Sequence, residues 1–233
     1  MKKAVCLISG GLDSCTTAHI AKKEGHEIYA ISFNYGQRHK KEIESAKNIA
    51  NSVNAKSHIV FDIDLSKFGG SSLTDLDLKP DKDRNLDEIG KDIPSTYVPA
   101  RNTVFLSIAL AYAETINADS IFIGATATDY SGYPDCRSEY IEAFQKMANL
   151  ATKRGDEGKT IKIKAPLINM TKTDIIKKGL DLKAPLEKTW SCYIGNEKAC
   201  GRCDSCLLRL KGFKEAGIKD PIEYNQFPEW YKN

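Results

Sequence analysis

Six consecutive residues near the amino terminus have the side chains that a phosphate-binding loop needs. They follow a short apolar run, precede a helical pattern and read Ser9, Gly10, Gly11, Leu12, Asp13 and Ser14. Glycines let the backbone approach phosphate oxygens, and serine hydroxyls donate hydrogen bonds to them. We assign Asp13 to Mg²⁺ or to the loop's own N–H groups, because a bare carboxylate would repel a polyphosphate. An ordinary glycine turn capped by Asp or Ser is the alternative.

This loop lacks the lysine of the Walker motif and the spacing of the dinucleotide fingerprint. Its order, Ser-Gly-Gly-x-Asp-Ser, instead resembles the PP-loop of the ATP pyrophosphatase superfamily. The resemblance implies that the loop binds the β and γ phosphates of ATP and that the bond between the α and β phosphates breaks. The expected products are AMP and pyrophosphate. Transfer of AMP would make a carboxylate or amide oxygen a good leaving group.

Four of the seven cysteines stand close together in the sequence. Their spacing, C-x7-C-x2-C-x2-C, favours a tetrahedral zinc site formed by Cys192, Cys200, Cys203 and Cys206. An iron–sulfur cluster is the main alternative, since C-x2-C-x2-C also occurs in ferredoxins, although the proline that follows there is missing. Because four sulfur ligands leave no open position, we expect one structural zinc ion per chain.

Hydrophobic periodicity predicts the elements that position these residues. Apolar runs predict strands at 3–8, 27–33, 58–63, 120–123 and 161–165. Helical patterns follow through 18–21, ending near Gly25, and over 39–53, 103–116 and 140–152, with further helices starting at Thr171 and at Cys203. The βαβαβ order predicts an α/β fold, a Rossmann-like parallel sheet with helices on both faces.

The chain divides into two predicted parts. Residues 1–185 form the PP-loop domain, and residues 186–233 form a small zinc-binding helical segment. Between the third strand and the next helix, residues 69–94 are polar, acidic and broken by Gly and Pro. We interpret that stretch as a mobile loop or lid.

Composition limits the class of partner. The chain has 233 residues, of which 41% are apolar and 28% charged, and its net charge is +3. No apolar run is long enough for a membrane span and no signal-peptide pattern is present, so we expect a cytoplasmic protein. The small charge gives no electrostatic reason for a nucleic-acid partner, which leaves a small-molecule substrate as the expectation.

Four further motifs point to one family. They are NYGQRH at 34–39, VPARN at 98–102, DYSGYPDCR at 129–137 and TWSCY at 189–193. With the cysteine cluster, they make the chain resemble the QueC family, the 7-cyano-7-deazaguanine synthases of the queuosine pathway, from residue 3 to about residue 221. The resemblance implies a ligase that converts 7-carboxy-7-deazaguanine and ammonia to the amide and then to the nitrile, preQ0, with one Mg-ATP for each step. It also implies zinc and a homodimer.

The loop after the fourth strand is the expected substrate site. A tyrosine ring can stack on the planar base, carboxylates can accept its N–H groups, and an arginine can bind its anion. We therefore assign substrate binding to Asp129, Tyr130, Tyr133, Asp135 and Arg137. A surface loop with turn-forming residues is the alternative.

Four more residues are expected at the nucleotide. Phe33 and Arg38 are assigned to ATP, and Arg101 and Lys172 to catalysis, because a cation near a helix start can stabilise the charge of the transition state. A surface salt bridge explains Arg101 and Lys172 equally well. Asn34 and Thr126 depart from the family pattern, in which Asp and Asn are usual, and either change can alter a nucleotide or substrate contact.

Three other functions share the predicted loop. A PP-loop tRNA thiolase usually carries an RNA-binding domain or a strongly basic surface, for which this chain has no room. A glutamine-dependent amidotransferase needs a glutaminase, and no segment is large enough to supply one, so we expect free ammonia. A zinc-containing module that binds a nucleotide without reacting is the non-enzymatic alternative.

Overall fold

The computed structural model describes residues 1–38, 41–127, 132–195 and 197–231. Within these ranges, five strands form one parallel sheet in the order β3-β2-β1-β4-β5. The strands are β1 Lys3–Leu7, β2 Glu27–Asn34, β3 Ser57–Asp62, β4 Ser120–Phe122 and β5 Lys162–Lys164. Their ends agree with the predicted strands to within about one residue, and the predicted parallel sheet is confirmed.

Helices connect the strands and continue to the carboxyl terminus. They are α1 Leu12–Lys23, α2 Lys41–Ser52, α3 Arg101–Thr115, α4 Ser138–Ala151, α5 Lys153–Asp156, α6 Lys172–Asp181 and α7 Asp204–Glu215. The expected start of α6 is confirmed, because Thr171 and Asp174 form a reciprocal capping box. None of the described helices is long and apolar enough to span a membrane.

Both faces of the sheet are covered, as predicted. Successive strand residues point to opposite faces, so that Val5 and Leu7 of β1 pack with α3 and α4. Ala4 and Cys6 pack on the other face with α1, α2, α6 and Phe213 of α7. The segment that carries the cysteine cluster therefore shares a core with the sheet through α7.

The stretch 69–94 has no regular helix or strand, as expected, but it packs against the body of the protein. Leu73 is buried, which the interpretation as a mobile lid did not anticipate. Arg84 forms an ion pair with Asp204 at 3.0 Å, and Arg202 Nε donates to Asp83 Oδ1 at 2.9 Å. In this structure the expected lid is a wall fastened to the cysteine-bearing segment.

Candidate active site

One cavity opens at the carboxyl ends of β1 and β4. These strands are neighbours in the centre of the sheet, and the chain leaves them toward opposite edges. Such a switch point leaves a crevice between the connecting loops, and parallel α/β sheets bind ligands there. The loop after β1, the start of α3, the end of β4 and the start of α6 all line the cavity.

The predicted phosphate loop is on the wall of this cavity. Ser14 Oγ donates to the Gly11 carbonyl at 3.0 Å and lies 3.1 Å from Ser9 Oγ, so the loop is closed by its own serines. Gly11 precedes α1 without a side-chain cap. The N–H groups of the first turn of α1 therefore remain available to an anion. Ser9 Oγ accepts the Gly11 N–H at 3.3 Å within this turn, but no Asp or Ser side chain caps the start of α1 itself.

Gly10 packs against neighbouring backbone, and its assignment to ATP stays a prediction. It does not line the cavity in this structure, although its five companions in the loop do. Its φ is +92°, and a Cβ here would lie 2.2 Å from the carbonyl oxygen of Glu42 in α2. Its own carbonyl accepts a hydrogen bond from the Trp190 N–H at 2.8 Å. Gly10 thus packs the loop against α2 and residue 190.

Asp13 and Lys172 form an ion pair inside the cavity. Lys172 Nζ donates to both carboxylate oxygens of Asp13, at 2.7 and 2.8 Å. Of the two partners expected for Asp13, the N–H groups of the loop are therefore not used, and an ammonium group takes their place. The pair places Lys172, from the first turn of α6, beside the phosphate loop, and the catalytic role assigned to it stays a prediction.

Arg101 brings a second positive charge to the same cavity. Its guanidinium lies 5.7 Å from the ring centre of Tyr35, and Nη1 is 3.5 Å from the Tyr35 hydroxyl. Among the described residues it makes no ion pair with a carboxylate. Phe33 also lines the cavity as expected, with its ring stacked on Phe105 at 4.0 Å. A partly desolvated, unpaired guanidinium is suited to phosphate.

The structure separates the residues expected to bind substrate. Tyr133 lines the cavity, and its hydroxyl lies 2.9 Å from Thr96 Oγ1. Asp135 is buried behind the cavity, where its carboxylate accepts the Asn102 N–H at 2.9 Å. It therefore caps α3, whose preceding residue, Ala100, cannot do so. Arg137 is exposed and does not line the cavity, and Asp129 and Tyr130 lie outside the described residues.

Arg38, which was assigned to ATP, forms hydrogen bonds with backbone carbonyls in this structure. Its Nε donates to the Ser72 carbonyl at 2.8 Å, and its Nη2 donates to the carbonyls of Asp75 and Leu78. The guanidinium is thus committed to the stretch 69–94 and is not among the groups that line the cavity. The structure does not bring it to the nucleotide site predicted for it.

The two residues that depart from the family pattern, Asn34 and Thr126, both form hydrogen bonds in this structure. Asn34 Nδ2 donates to Asp62 Oδ1 at 2.7 Å, across the ends of β2 and β3. A carboxylate at position 34 would face Asp62 with like charge. Thr126 lines the cavity, and its hydroxyl donates to the Met170 carbonyl at 3.1 Å.

Several residues of the cavity were not predicted from the sequence. Gly124 lies two residues after β4, and a Cβ there would lie 3.0 Å from the Asp13 and Ser14 backbone, so the segment after this strand presses against the phosphate loop. Glu42, in the first turn of α2, projects into the cavity, and burial raises the pKa of its carboxyl to about 7. Its place just after the NYGQRH motif was the available signal.

The four clustered cysteines form a candidate metal site. Their sulfur atoms lie within 4.8 Å of one another, and Cys200 and Cys206 are 3.8 Å apart. Tetrahedral Zn–S bonds of about 2.3 Å separate neighbouring sulfurs by roughly 3.8 Å. Cys192 Sγ also accepts the N–H groups of Gly195 and Cys200, at 3.0 and 3.2 Å, as a thiolate does. The donor set fits a metal ion bound by four thiolates.

The fold and the site define an α/β protein with a glycine- and serine-rich loop at the switch point of a parallel sheet. The solved structure of NMN synthetase from Francisella tularensis has a similar fold, with a TM-score of 0.50 and 16% identity over 94% of this chain and 78% of that chain. The model of the family described as queuosine biosynthesis protein QueC matches residues 3–217. The chain belongs to the QueC family.

Curated relatives match over almost their whole length. The 7-cyano-7-deazaguanine synthase of Trichodesmium erythraeum is 56% identical over 94% of this chain and 99% of its own. The enzyme of that name from Picrophilus torridus is 57% identical over 100% of this chain and 95% of its own. These matches confirm the family resemblance that the motifs indicated.

The substitution Gly10→Ala should weaken Mg-ATP binding by roughly tenfold or more, a cost of about 1.4 kcal/mol. The added Cβ collides with the Glu42 carbonyl and displaces the loop. Gly25→Ala is the matched control, because Gly25 has a φ of +81° but nothing within 4 Å of its Cβ position. It shares the backbone strain and should leave the dissociation constant unchanged. Calorimetric titration of both variants checks this, and equal affinities would contradict the role given to Gly10.

Proposed function

We propose that this chain is a 7-cyano-7-deazaguanine synthase, an ATP-dependent ligase that forms C–N bonds in queuosine biosynthesis. Its substrates are 7-carboxy-7-deazaguanine, free ammonia and Mg-ATP, and its product is the nitrile, preQ0. The observation that supports this most is the family match over residues 3–217, which includes every element that borders the cavity.

The contents of the cavity support adenylation. The first turn of α1 and the loop serines can bind the β and γ phosphates, while Lys172 and Arg101 supply positive charge beside them. AMP transferred to the substrate carboxylate leaves when ammonia attacks, which gives the amide. AMP transferred to the amide oxygen then leaves with the loss of both N–H protons, which gives the nitrile. One phosphate loop serves both activations.

The deazaguanine would lie toward the aromatic side of the cavity. Tyr133 and Tyr193 line that side, and the ring of Tyr133 stacks on Tyr97 with 5.7 Å between ring centres. Asp129 and Tyr130 remain predictions of substrate contact. Asp135 contributes by fixing the start of α3, because its carboxylate is occupied by the Asn102 N–H.

Sulfur transfer, the reaction of the tRNA thiolases, has less support from this cavity. Cys136 is a described cysteine on its wall, and burial raises the pKa of that thiol to about 12. Sulfur chemistry needs a thiolate, so a thiol held protonated at neutral pH is a poor nucleophile or sulfur carrier.

Several finer features belong to the same proposal. The metal bound by the four cysteines is zinc, with a structural role, and the chain divides at residue 185 into the PP-loop domain and the zinc-binding segment. Clustered thiol ligands suit the reducing cytoplasm. The homodimer that the family resemblance implies stays a prediction.

Mass spectrometry tests the proposed reaction. Wild-type protein incubated with Mg-ATP, ammonium and 7-carboxy-7-deazaguanine should yield the nitrile with about two AMP and two pyrophosphate per nitrile. The same incubation without the deazaguanine acid is the control. ADP and phosphate as products would contradict the role of the phosphate loop, and no product at all would contradict the ligase.

Lys172→Met should lower the rate of nitrile formation by about 10²–10³, because it removes a charge-assisted donor beside the transferring phosphoryl group. Lys177→Met is the matched control, on the same helix but exposed to solvent. Steady-state kinetics should show an unchanged rate for that control. If the Lys172→Met enzyme had the wild-type rate, the Lys172 side chain would serve only to neutralise the charge of Asp13.

Removal of the metal should lower both the midpoint of thermal unfolding and the affinity for Mg-ATP. Trp190, two residues before Cys192, donates its backbone N–H to the Gly10 carbonyl. Loss of the metal would loosen this part of the chain and, through that hydrogen bond, the phosphate loop. Elemental analysis should find about one zinc per chain in the wild type and less in the Cys206→Ser variant. Cys6→Ala is the control, because the Cys6 sulfur lies outside the cluster, and its zinc content should equal that of the wild type. Iron in place of zinc, or chelation without loss of stability, would overturn the assignment.

A further inference from the structure

The proposed ligase reaction releases protons, and a group in the cavity must accept them. Near neutral pH, ammonia in solution is mainly ammonium, which has no lone pair with which to attack. Conversion of an amide to a nitrile also removes N–H protons. A base in contact with the incoming nitrogen would serve both steps.

Most titratable side chains of the cavity are unsuited to this task. Asp13 is held by Lys172 through both of its oxygens. Burial raises the pKa of Tyr35 and of the Cys136 thiol to about 12, so both stay protonated at neutral pH. Arg101 is permanently charged. No histidine is among the described residues that line the cavity.

Glu42 differs from all of these groups. Its side chain lines the cavity, and no hydrogen bond or ion pair of its carboxylate is found among the described residues. Its backbone is fixed, because the α2 carbonyl of Glu42 lies against Gly10 of the phosphate loop. A carboxylate on a rigid helix turn, beside the place where AMP is transferred, is well placed to meet a small cation.

We propose that Glu42 is the catalytic residue that binds ammonium in the cavity and accepts its proton, a role that presupposes the proposed ligase function. Glu42 takes one proton, and the freed lone pair of nitrogen bonds to the acyl carbon. The bond between that carbon and the AMP oxygen then breaks, with its electron pair remaining on AMP. The second proton passes from nitrogen to water, and the amide is formed.

The same carboxylate serves the second activation. Glu42 first returns its earlier proton to water. After the amide oxygen has displaced pyrophosphate from ATP, one of the two N–H protons also passes to water, and the intermediate carries one N–H proton on a nitrogen doubly bonded to the carbon that bears AMP. Glu42 accepts that proton, the carbon–nitrogen double bond becomes a triple bond, and AMP departs with the electron pair of the carbon–oxygen bond. The product is the nitrile.

The electrostatics of the cavity agree with this assignment. Burial raises the pKa of Glu42, and the nearby Arg101 charge opposes part of the rise, so that the carboxyl exchanges protons near pH 7. Such a base is strong enough to take a proton and weak enough to release it for the next step. Tyr35 faces both side chains, and Cys192, one of the four clustered cysteines, also raises the pKa of the Glu42 carboxyl.

The test is Glu42→Gln, which keeps the size of the side chain and removes the base. With the deazaguanine acid, Mg-ATP and ammonium, this variant should still release pyrophosphate in a first turnover, whereas amide and nitrile formation should fall by about 10²–10⁴. Hydroxylamine carries a free lone pair near neutral pH and needs no base to attack, so the variant should form the hydroxamate at close to the wild-type rate. Glu44→Gln, on the exposed side of α2, is the matched control and should behave as wild type.

The outcomes separate the two proposals. If wild-type protein makes no nitrile, the ligase function fails. If the wild type is active and Glu42→Gln uses ammonium equally well, the ligase stands and the role of Glu42 is overturned. Loss of pyrophosphate release together with loss of hydroxamate formation would also overturn it, because the carboxylate would then be needed for adenylation. Thermal unfolding of the variant, expected within a few degrees of wild type, identifies a folding defect, and Glu42→Asp should restore part of the ammonium-dependent rate.

Discussion

The close backbone contacts around Gly10 hold together the parts of the structure that border the cavity. The missing side chain lets the Glu42 carbonyl approach the loop after β1, and the Gly10 carbonyl accepts the Trp190 N–H. On the other side, Gly124 lets the segment after β4 press against Asp13 and Ser14. Since protein interiors are densely packed, none of these segments can shift alone. The phosphate loop therefore has its shape before a ligand arrives, which lowers the entropy cost of binding.

Charge in the cavity is distributed in a way that keeps two groups available. Asp13 and Lys172 neutralise each other beside the phosphate loop. Arg101 and Glu42 have opposite charges but form no ion pair with each other among the described contacts. A direct pair would satisfy both groups and leave neither for a ligand. Their separation leaves a cation for the phosphates of ATP and an anion for ammonium, the two charged substrates that the proposed reaction must bring together.

The sequence predicted what depends on local pattern. The five strands and the two covered faces of the sheet follow from apolar runs, and the cysteine cluster follows from its spacing. Asp135 and Arg38 could not be placed in this way, because their partners lie 33 or more residues away in the chain. Glu42 was missed because an acidic residue in an amphipathic helix is usually a solvated one. Only the contact of α2 with the phosphate loop reveals that this side chain turns inward.

The cysteine-bearing segment influences the cavity through chain connectivity. Trp190, Ser191 and Tyr193 line the cavity, while Cys192 between them belongs to the candidate metal site. An ion that fixes Cys192 consequently fixes the wall residues on both sides of it.

The same segment also holds the stretch 69–94. Arg202 pairs with Asp83 and Asp204 with Arg84, and that stretch in turn places Leu73 on the cavity wall. A metal with four sulfur ligands has no position left for substrate. Its effect on the reaction must therefore pass through the rigidity of these walls, since loosening them would release Gly10 and, with it, the phosphate loop on which both activations depend.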